Sequence, residues 1–227
     1  MQKKTIQKTE LQRILKALDF MNRIYIGQYE HLVEINKPFY SFHFPEDRDL
    51  VNHLMKIRSQ FIPHLKGCSY NASLGIWSPM TPLIAIRSYD ILQVLRYQNA
   101  YHNNPEGDLT VNFNTPFIHG EWHMETIDRD LIAQIVKENQ YKDYLYGIER
   151  IWYCPVVITR FDKNTISYYC SPEVQDIINK ALHVYELCRD YKFLEVFECL
   201  YPRYDSSTLK DDVTEVVRMV KELEDFR

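Results

Sequence analysis

A row of ionisable side chains between residues 119 and 125 has the residue types of a metal site. His119, Glu121, His123 and Glu125 stand at every second position, so a β-strand here would place all four on one face. Neutral imidazole and carboxylate groups are ligands for divalent metals such as Zn²⁺, Fe²⁺ and Mn²⁺. The row therefore raises the hypothesis of a metal-dependent hydrolase that uses His119, Glu121 and His123.

The same row is also typical of the solvated face of a one-sided sheet. Ile118, Trp122 and Met124 stand at the alternate positions and would form the buried face. Neighbouring side chains on one face of a strand lie about 7 Å apart, so at most two of the four can bind one ion. The zinc-protease order HExxH is absent as well. We therefore predict no cofactor and keep a divalent metal as the alternative.

A second group of polar side chains recurs at every third residue from 87 to 96. Arg87, Asp90, Gln93 and Arg96 drift by about 60° per step around a helix, so Arg87 and Asp90 are near enough to pair. Guanidinium groups bind carboxylates and phosphates through paired hydrogen bonds. These four are the candidate ligand-binding residues, for a small anion held by Arg87 and Arg96. The alternative is that they form the exposed edge of the helix.

The helix that carries this second group is predicted to be buried. Thr81-Pro82 supplies an N-cap and a proline for the first turn, and the helix is expected to run to about residue 101. Apolar residues cover most of its circumference, which is typical of an enclosed helix. We therefore predict a buried central helix near 83–101.

The rest of the chain is predicted to contain both helices and strands. A capping box at Thr9–Gln12 opens a first helix that is expected to end at Pro38, with Gly27 either kinking it or letting another backbone approach. Further helices are predicted after Pro45, at 128–146, after Ser171, up to about Tyr201, and from Thr208. Strands are predicted at 39–44, 109–113 and 117–125, with a hairpin of 156–161 and 165–170. The fold class is α+β: six or seven helices around a small, mostly antiparallel sheet, in a single domain 1–227 with a weak boundary in loop 67–82.

Composition restricts the class of protein. The chain has 227 residues, 45% of them hydrophobic, and a net charge of −4, so nucleic acid is not favoured as a partner. Its five cysteines form no CxxC pair, which favours reduced thiols over a disulfide framework or a zinc knuckle. No apolar run approaches the length of a membrane span, and no Gly-rich phosphate loop is present. We expect a cytoplasmic protein with no membrane partner.

Tyrosine is the one residue type in clear excess, with 17 copies. Because tyrosine buries a ring and keeps a hydroxyl to place, the excess fits either a core with polar edges or an exposed interaction surface. In the absence of enzyme motifs, the leading hypothesis is a non-enzymatic binding or regulatory protein with a protein partner. A homo-oligomer is compatible with this interpretation.

Two short segments resemble small proteins carried by phages and mobile elements, to which no activity is assigned. They are residues 18–30, LDFMNRIYIGQYE, and residues 88–96, SYDILQVLR. The resemblance implies an accessory protein of a bacterial cell, such as an inhibitor that acts on a host macromolecule. The positions that carry it are Arg23, Gly27, Gln28, Asp90, Gln93 and Arg96.

Overall fold

The computed structural model describes residues 2–35, 48–76, 78–103 and 156–225. Within these ranges it contains seven α-helices and three β-strands, which confirms the predicted α+β class. The helices are α1 Lys8–Tyr25, α2 His31–Glu34, α3 Arg48–Phe61, α4 Leu83–Asn103, α5 Pro172–Arg189, α6 Phe193–Leu200 and α7 Lys210–Asp225. The strands are β1 Gln2–Gln7, β2 Val156–Phe161 and β3 Thr165–Cys170.

The chain divides into two compact units. Unit 1 consists of Met1–Asp19 and Leu83–Leu182, and unit 2 consists of Phe20–Pro82 and His183–Arg227. One limit, between Pro82 and Leu83, coincides with the end of the loop in which the sequence suggested a weak boundary. The single-domain organisation itself stays a prediction.

The described sheet belongs to unit 1 and has the antiparallel order β1-β3-β2. The hairpin of β2 and β3 has the bounds that the sequence predicted. Strand β1 was not predicted, because Ile6 is its only apolar residue and no alternating pattern marks it. It is a strand because it pairs with β3, where Thr5 Oγ1 lies 2.9 Å from Ser167 Oγ.

Helix α4 is the buried helix of unit 1. Its apolar residues Ile91, Leu92 and Val94 are fully buried, as the all-round apolar pattern predicted. Gln98 is equally buried and contacts strand β2. Its Nε2 donates to the Val156 carbonyl at 3.0 Å, and its Oε1 accepts from the Ile158 N–H at 2.6 Å. The Gln98 amide thus takes the place of a neighbouring strand at Val156 and Ile158.

The first helix is shorter than predicted. Helix α1 ends at Tyr25, and the chain turns at Gly27, whose φ is +94°. A Cβ at this position would lie 2.6 Å from Leu65 Cδ1, so a turn that needs glycine separates α1 from the four-residue helix α2. The sequence marked Gly27 as a kink or a point of close approach within one helix, and the structure shows that the helix ends there instead.

The ends of three other helices show how local sequence sets their bounds. Helix α3 ends at Phe61, before Pro63, as predicted, whereas its predicted start at 45–47 lies outside the described residues. Ser171 caps α5, with its Oγ accepting from the Val174 N–H at 3.2 Å. Helix α7 begins at Lys210 rather than Thr208, because a 3₁₀ turn capped by Asp205 precedes it.

Candidate functional site

The first candidate site that the sequence predicted is the metal row at residues 119–125. His119, Glu121, His123 and Glu125 lie outside the described residues, so a metal site there stays a prediction. In the part of the chain that the structure describes, no three His, Cys, Asp or Glu side chains form a group that could hold a metal ion.

The four polar residues of α4 have different surroundings. Arg87 pairs with Glu173 of α5, whereas Arg96 is exposed and its Nη2 lies 3.3 Å from Asp19 Oδ1. Asp90 is fully buried and Gln93 is half-buried. Nine residues of helix separate the two arginines by about 13 Å along the axis, so they do not converge on one small ligand. Of the predicted pair, Arg87 lines the groove described next.

The groove beside Arg87, which we call the α4–α5 groove, lies within unit 1. It has a volume of about 350 Å³ and is lined by the beginnings of two helices. Pro82 directly precedes α4, and Pro172, which follows the cap Ser171, is the first residue of α5. Its described lining residues are Leu83, Ile84, Arg87, Glu173, Asp176, Ile177 and Lys180.

The α4–α5 groove is lined by three apolar residues and by four charged residues, which we call its charged rim. Leu83 is 52% exposed although it is a large apolar residue, and the neighbouring Ile177 is 6% exposed. The two cations of the rim balance its two carboxylates, so its formal charge is zero. The described lining has no histidine, cysteine, serine or tyrosine.

Tyrosines and phenylalanines form an aromatic cluster inside unit 2. Phe61 stacks on Phe197 and on Tyr201, with ring centroids 4.8 and 4.4 Å apart, respectively. Burial raises the pKa of the Tyr201 hydroxyl to about 12, and burial together with Tyr201 raises the pKa of Tyr29. No tyrosine with a described side chain falls in the exposed class. Within the described residues, the tyrosines therefore belong to the core and its rim.

A polar network fixes the turn between α1 and α2 in unit 2. Arg23 Nη1 lies 3.1 Å from Gln28 Oε1 and 3.0 Å from His31 Nε2, and His31 Nδ1 lies 2.6 Å from Glu34 Oε2. Because a guanidinium only donates, Nε2 must accept and Nδ1 carries the proton towards Glu34. Three positions of the phage-type resemblance, Arg23, Gly27 and Gln28, thus lie together in one turn. No pattern in the sequence indicated this network.

Arg58 holds the loop that follows α3. It is 2% exposed, and its two Nη atoms donate to four backbone carbonyls at 2.7–3.3 Å. Glu30 lies close enough to Arg58 for the two charges to interact. Burial raises the pKa of the Glu30 carboxyl, and Glu34 adds to the rise, while Arg58 and Arg23 oppose it. The four carbonyls belong to Cys68, Ser69, Tyr70 and Ala72. Arg58 is thus a buried cation of unit 2 whose hydrogen bonds stabilise this loop.

A second groove of about 470 Å³ runs along α3 in unit 2. There, His53 Nδ1 lies 2.6 Å from Asp212 Oδ1, and Lys56 Nζ lies 3.4 Å from the same oxygen. Asp212 stands in the first turn of α7, where the helix dipole favours a carboxylate. The contacts fasten α3 to α7. No local pattern could have indicated them, since 159 residues separate the partners.

Comparison with known proteins adds no relative from which a role could be transferred. No protein-family model, curated protein or solved structure matches this chain. None of the helices in the described ranges is both long enough and apolar enough to cross a membrane.

Proposed function

We propose that this chain is a non-enzymatic binding protein that holds a partner protein in the α4–α5 groove. The observation that carries the proposal is the exposed apolar side chain of Leu83 in a groove whose lining also contains charges of both signs. A central apolar patch inside a polar rim is the usual anatomy of a protein interface. We name the occupant as a segment with an apolar side chain between charged residues of both signs.

The size and the charge of the groove agree with such an occupant. A volume of about 350 Å³ is at the lower end for ligand sites and has room for one or two apolar side chains. Arg87 and Lys180 would attract an acidic residue of the partner, and Glu173 and Asp176 a basic one. Because these charges balance, the rim selects the order of charges in the partner rather than its net charge.

The experiment compares two substitutions at equally exposed positions. Peptides are first selected from a randomised library on the immobilised wild-type protein. Their affinities are then measured for Leu83→Glu and for Met80→Glu. Leu83 is 52% exposed and Met80 is 51% exposed, but only Leu83 is part of the groove lining.

We expect Leu83→Glu to weaken binding at least about tenfold, which corresponds to about 1.4 kcal/mol. The loss follows from placing a charge against the apolar surface of the peptide. Met80→Glu should leave the affinity within about twofold. Equal affinities of the two variants, or peptides that share no apolar residue, would refute the proposal.

A small anion is the second candidate ligand, because Arg87 does line the groove. In that case inorganic phosphate or a short-chain carboxylate should raise the melting temperature of the protein. Arg87→Ala should abolish the rise, whereas Arg96→Ala, which removes the other paired arginine of α4, should preserve it. The neutral rim makes this the weaker of the two proposals.

Three further proposals come from the sequence. A metal-dependent hydrolase using His119, Glu121 and His123 predicts about one equivalent of metal in protein purified without chelators. An inhibitor of a host macromolecule, the role implied by the phage-type resemblance, would use a groove of the kind described. A reducing, cytoplasmic location fits the free thiols of Cys68, Cys170, Cys188 and Cys199.

A further inference from the structure

The two outer edges of the described sheet have different neighbours. Strand β2 has its outer edge closed by the Gln98 amide, which exchanges hydrogen bonds with Val156 and Ile158. Strand β1 pairs with β3 on one side, and the described residues contain no strand on its other side. Alternate backbone N–H and C=O groups of an edge strand point outwards, where they can bind another extended segment.

The side chains of β1 leave this edge accessible. The residues of Gln2–Gln7 are all exposed or half-exposed, and Lys3 is among the exposed ones. Lys3 Nζ lies 5.9 Å from the centre of the Tyr169 ring, its partner across the ladder. Lys4 follows it and stands on the opposite face of the strand. The strand itself has no acidic residue and carries one lysine on each face.

We propose that the outer edge of β1 binds an extended acidic segment of a partner protein as an additional strand. Main-chain hydrogen bonds supply affinity in this mode, and side chains supply selectivity. Lys3 and Lys4 place a cation on each face, so carboxylates on either face of the added strand find a partner. Like charges across a ladder are destabilising, which disfavours a second copy of β1 in this position.

A designed peptide provides the test, with the full-length protein. The probe is a short peptide of alternating glutamate and valine, and a peptide with lysine in place of glutamate serves as its charge-reversed match. Binding is followed by NMR, and hydrogen exchange reports on the backbone amides of residues 2–7. Two variants separate a specific edge from general attraction: Lys3→Glu combined with Lys4→Glu, and Lys16→Glu, which changes an exposed lysine of α1.

The expected result is saturable binding of the acidic peptide together with slower exchange of alternate amides in β1. The double charge reversal should lower this affinity roughly tenfold and favour the lysine peptide, whereas Lys16→Glu should change it less than twofold. Binding without protection of β1 would overturn the proposal, and so would equal affinities for both peptides. If exchange of the β1 amides slowed with rising protein concentration and without peptide, the edge would bind a second copy of the chain. That result would also overturn the proposal of an acidic partner. None of these results involves the α4–α5 groove, so they do not bear on the proposed function.

Discussion

Replacing Gln98 by leucine tests whether a side-chain amide closes the edge of β2. The substitution keeps a side chain of similar size but removes the hydrogen bonds to Val156 and Ile158, which measure 3.0 and 2.6 Å. A buried donor or acceptor that loses its partner costs about 1–3 kcal/mol, so the two together cost about 2–6 kcal/mol. Leucine recovers part of this through its more favourable burial, and we expect a net loss of about 2–4 kcal/mol.

Urea unfolding followed by circular dichroism measures this loss as a decrease in the free energy of unfolding. Hydrogen exchange of the Ile158 amide gives a local measure in the same protein, and exchange should become faster. Gln93→Leu is the matched control, since Gln93 is a half-buried glutamine of the same helix, and it should change stability by less than about 0.5 kcal/mol. If Gln98→Leu were as stable as the wild type, with Ile158 equally protected, the amide would not close this edge.

Three further predictions concern unit 2. Gly27→Ala should lose about 2–5 kcal/mol in urea unfolding, since it adds a crowded Cβ to a backbone of positive φ. Gly67→Ala shares the positive φ but meets no atom within 4 Å, and should lose only about 1–2 kcal/mol; equal losses would mean that crowding at residue 27 is unimportant. Burial raises the pKa of Glu30 above its ordinary value of 4.5, so the wild type should lose stability as pH rises through the raised pKa. Glu30→Gln should lack this decline when urea unfolding is repeated across pH, and parallel curves would contradict the assignment. Burial also raises the pKa of the Cys188 thiol, so iodoacetamide should alkylate the half-exposed Cys199 first, as peptide mass spectrometry would show; equal rates would contradict it.

Local sequence signals account for most of the described secondary structure. The β2–β3 hairpin was predictable because two β-rich runs flank a turn at 162–164. Helix α4 was predictable because Pro82 directly precedes its first residue and apolar residues surround it. The predicted cap at Thr81 was wrong, since the Thr81 hydroxyl donates to the Gly75 carbonyl at 2.8 Å. Strand β1 was not predictable, since its state depends on pairing with a strand more than 150 residues away. Gly27 was predicted to kink one helix or to admit another backbone rather than to end the helix, because the apolar pattern continues on both sides of the turn.

The candidate site was predictable only in part. The polar spacing of α4 identified Arg87, which does line the α4–α5 groove, but grouped it with Arg96, which pairs with Asp19 elsewhere in unit 1. Periodicity gives the face of a helix on which a residue lies, but it does not identify the partner across the fold. The opposite wall of the groove, at Glu173, is 86 residues away from Arg87 in the chain. Long-range neighbours of this kind need the structure.

Methyl NMR of the isoleucines would test the α4–α5 groove most directly. Ile84 and Ile177 contribute to its lining, whereas Ile57 is buried in α3 of unit 2. On titration with a peptide selected against the wild type, the Ile84 and Ile177 methyl signals should shift saturably and show NOEs to an apolar side chain of the peptide. Changes centred on Ile57, with Ile84 and Ile177 unaffected, would contradict the assignment of the groove as the binding site.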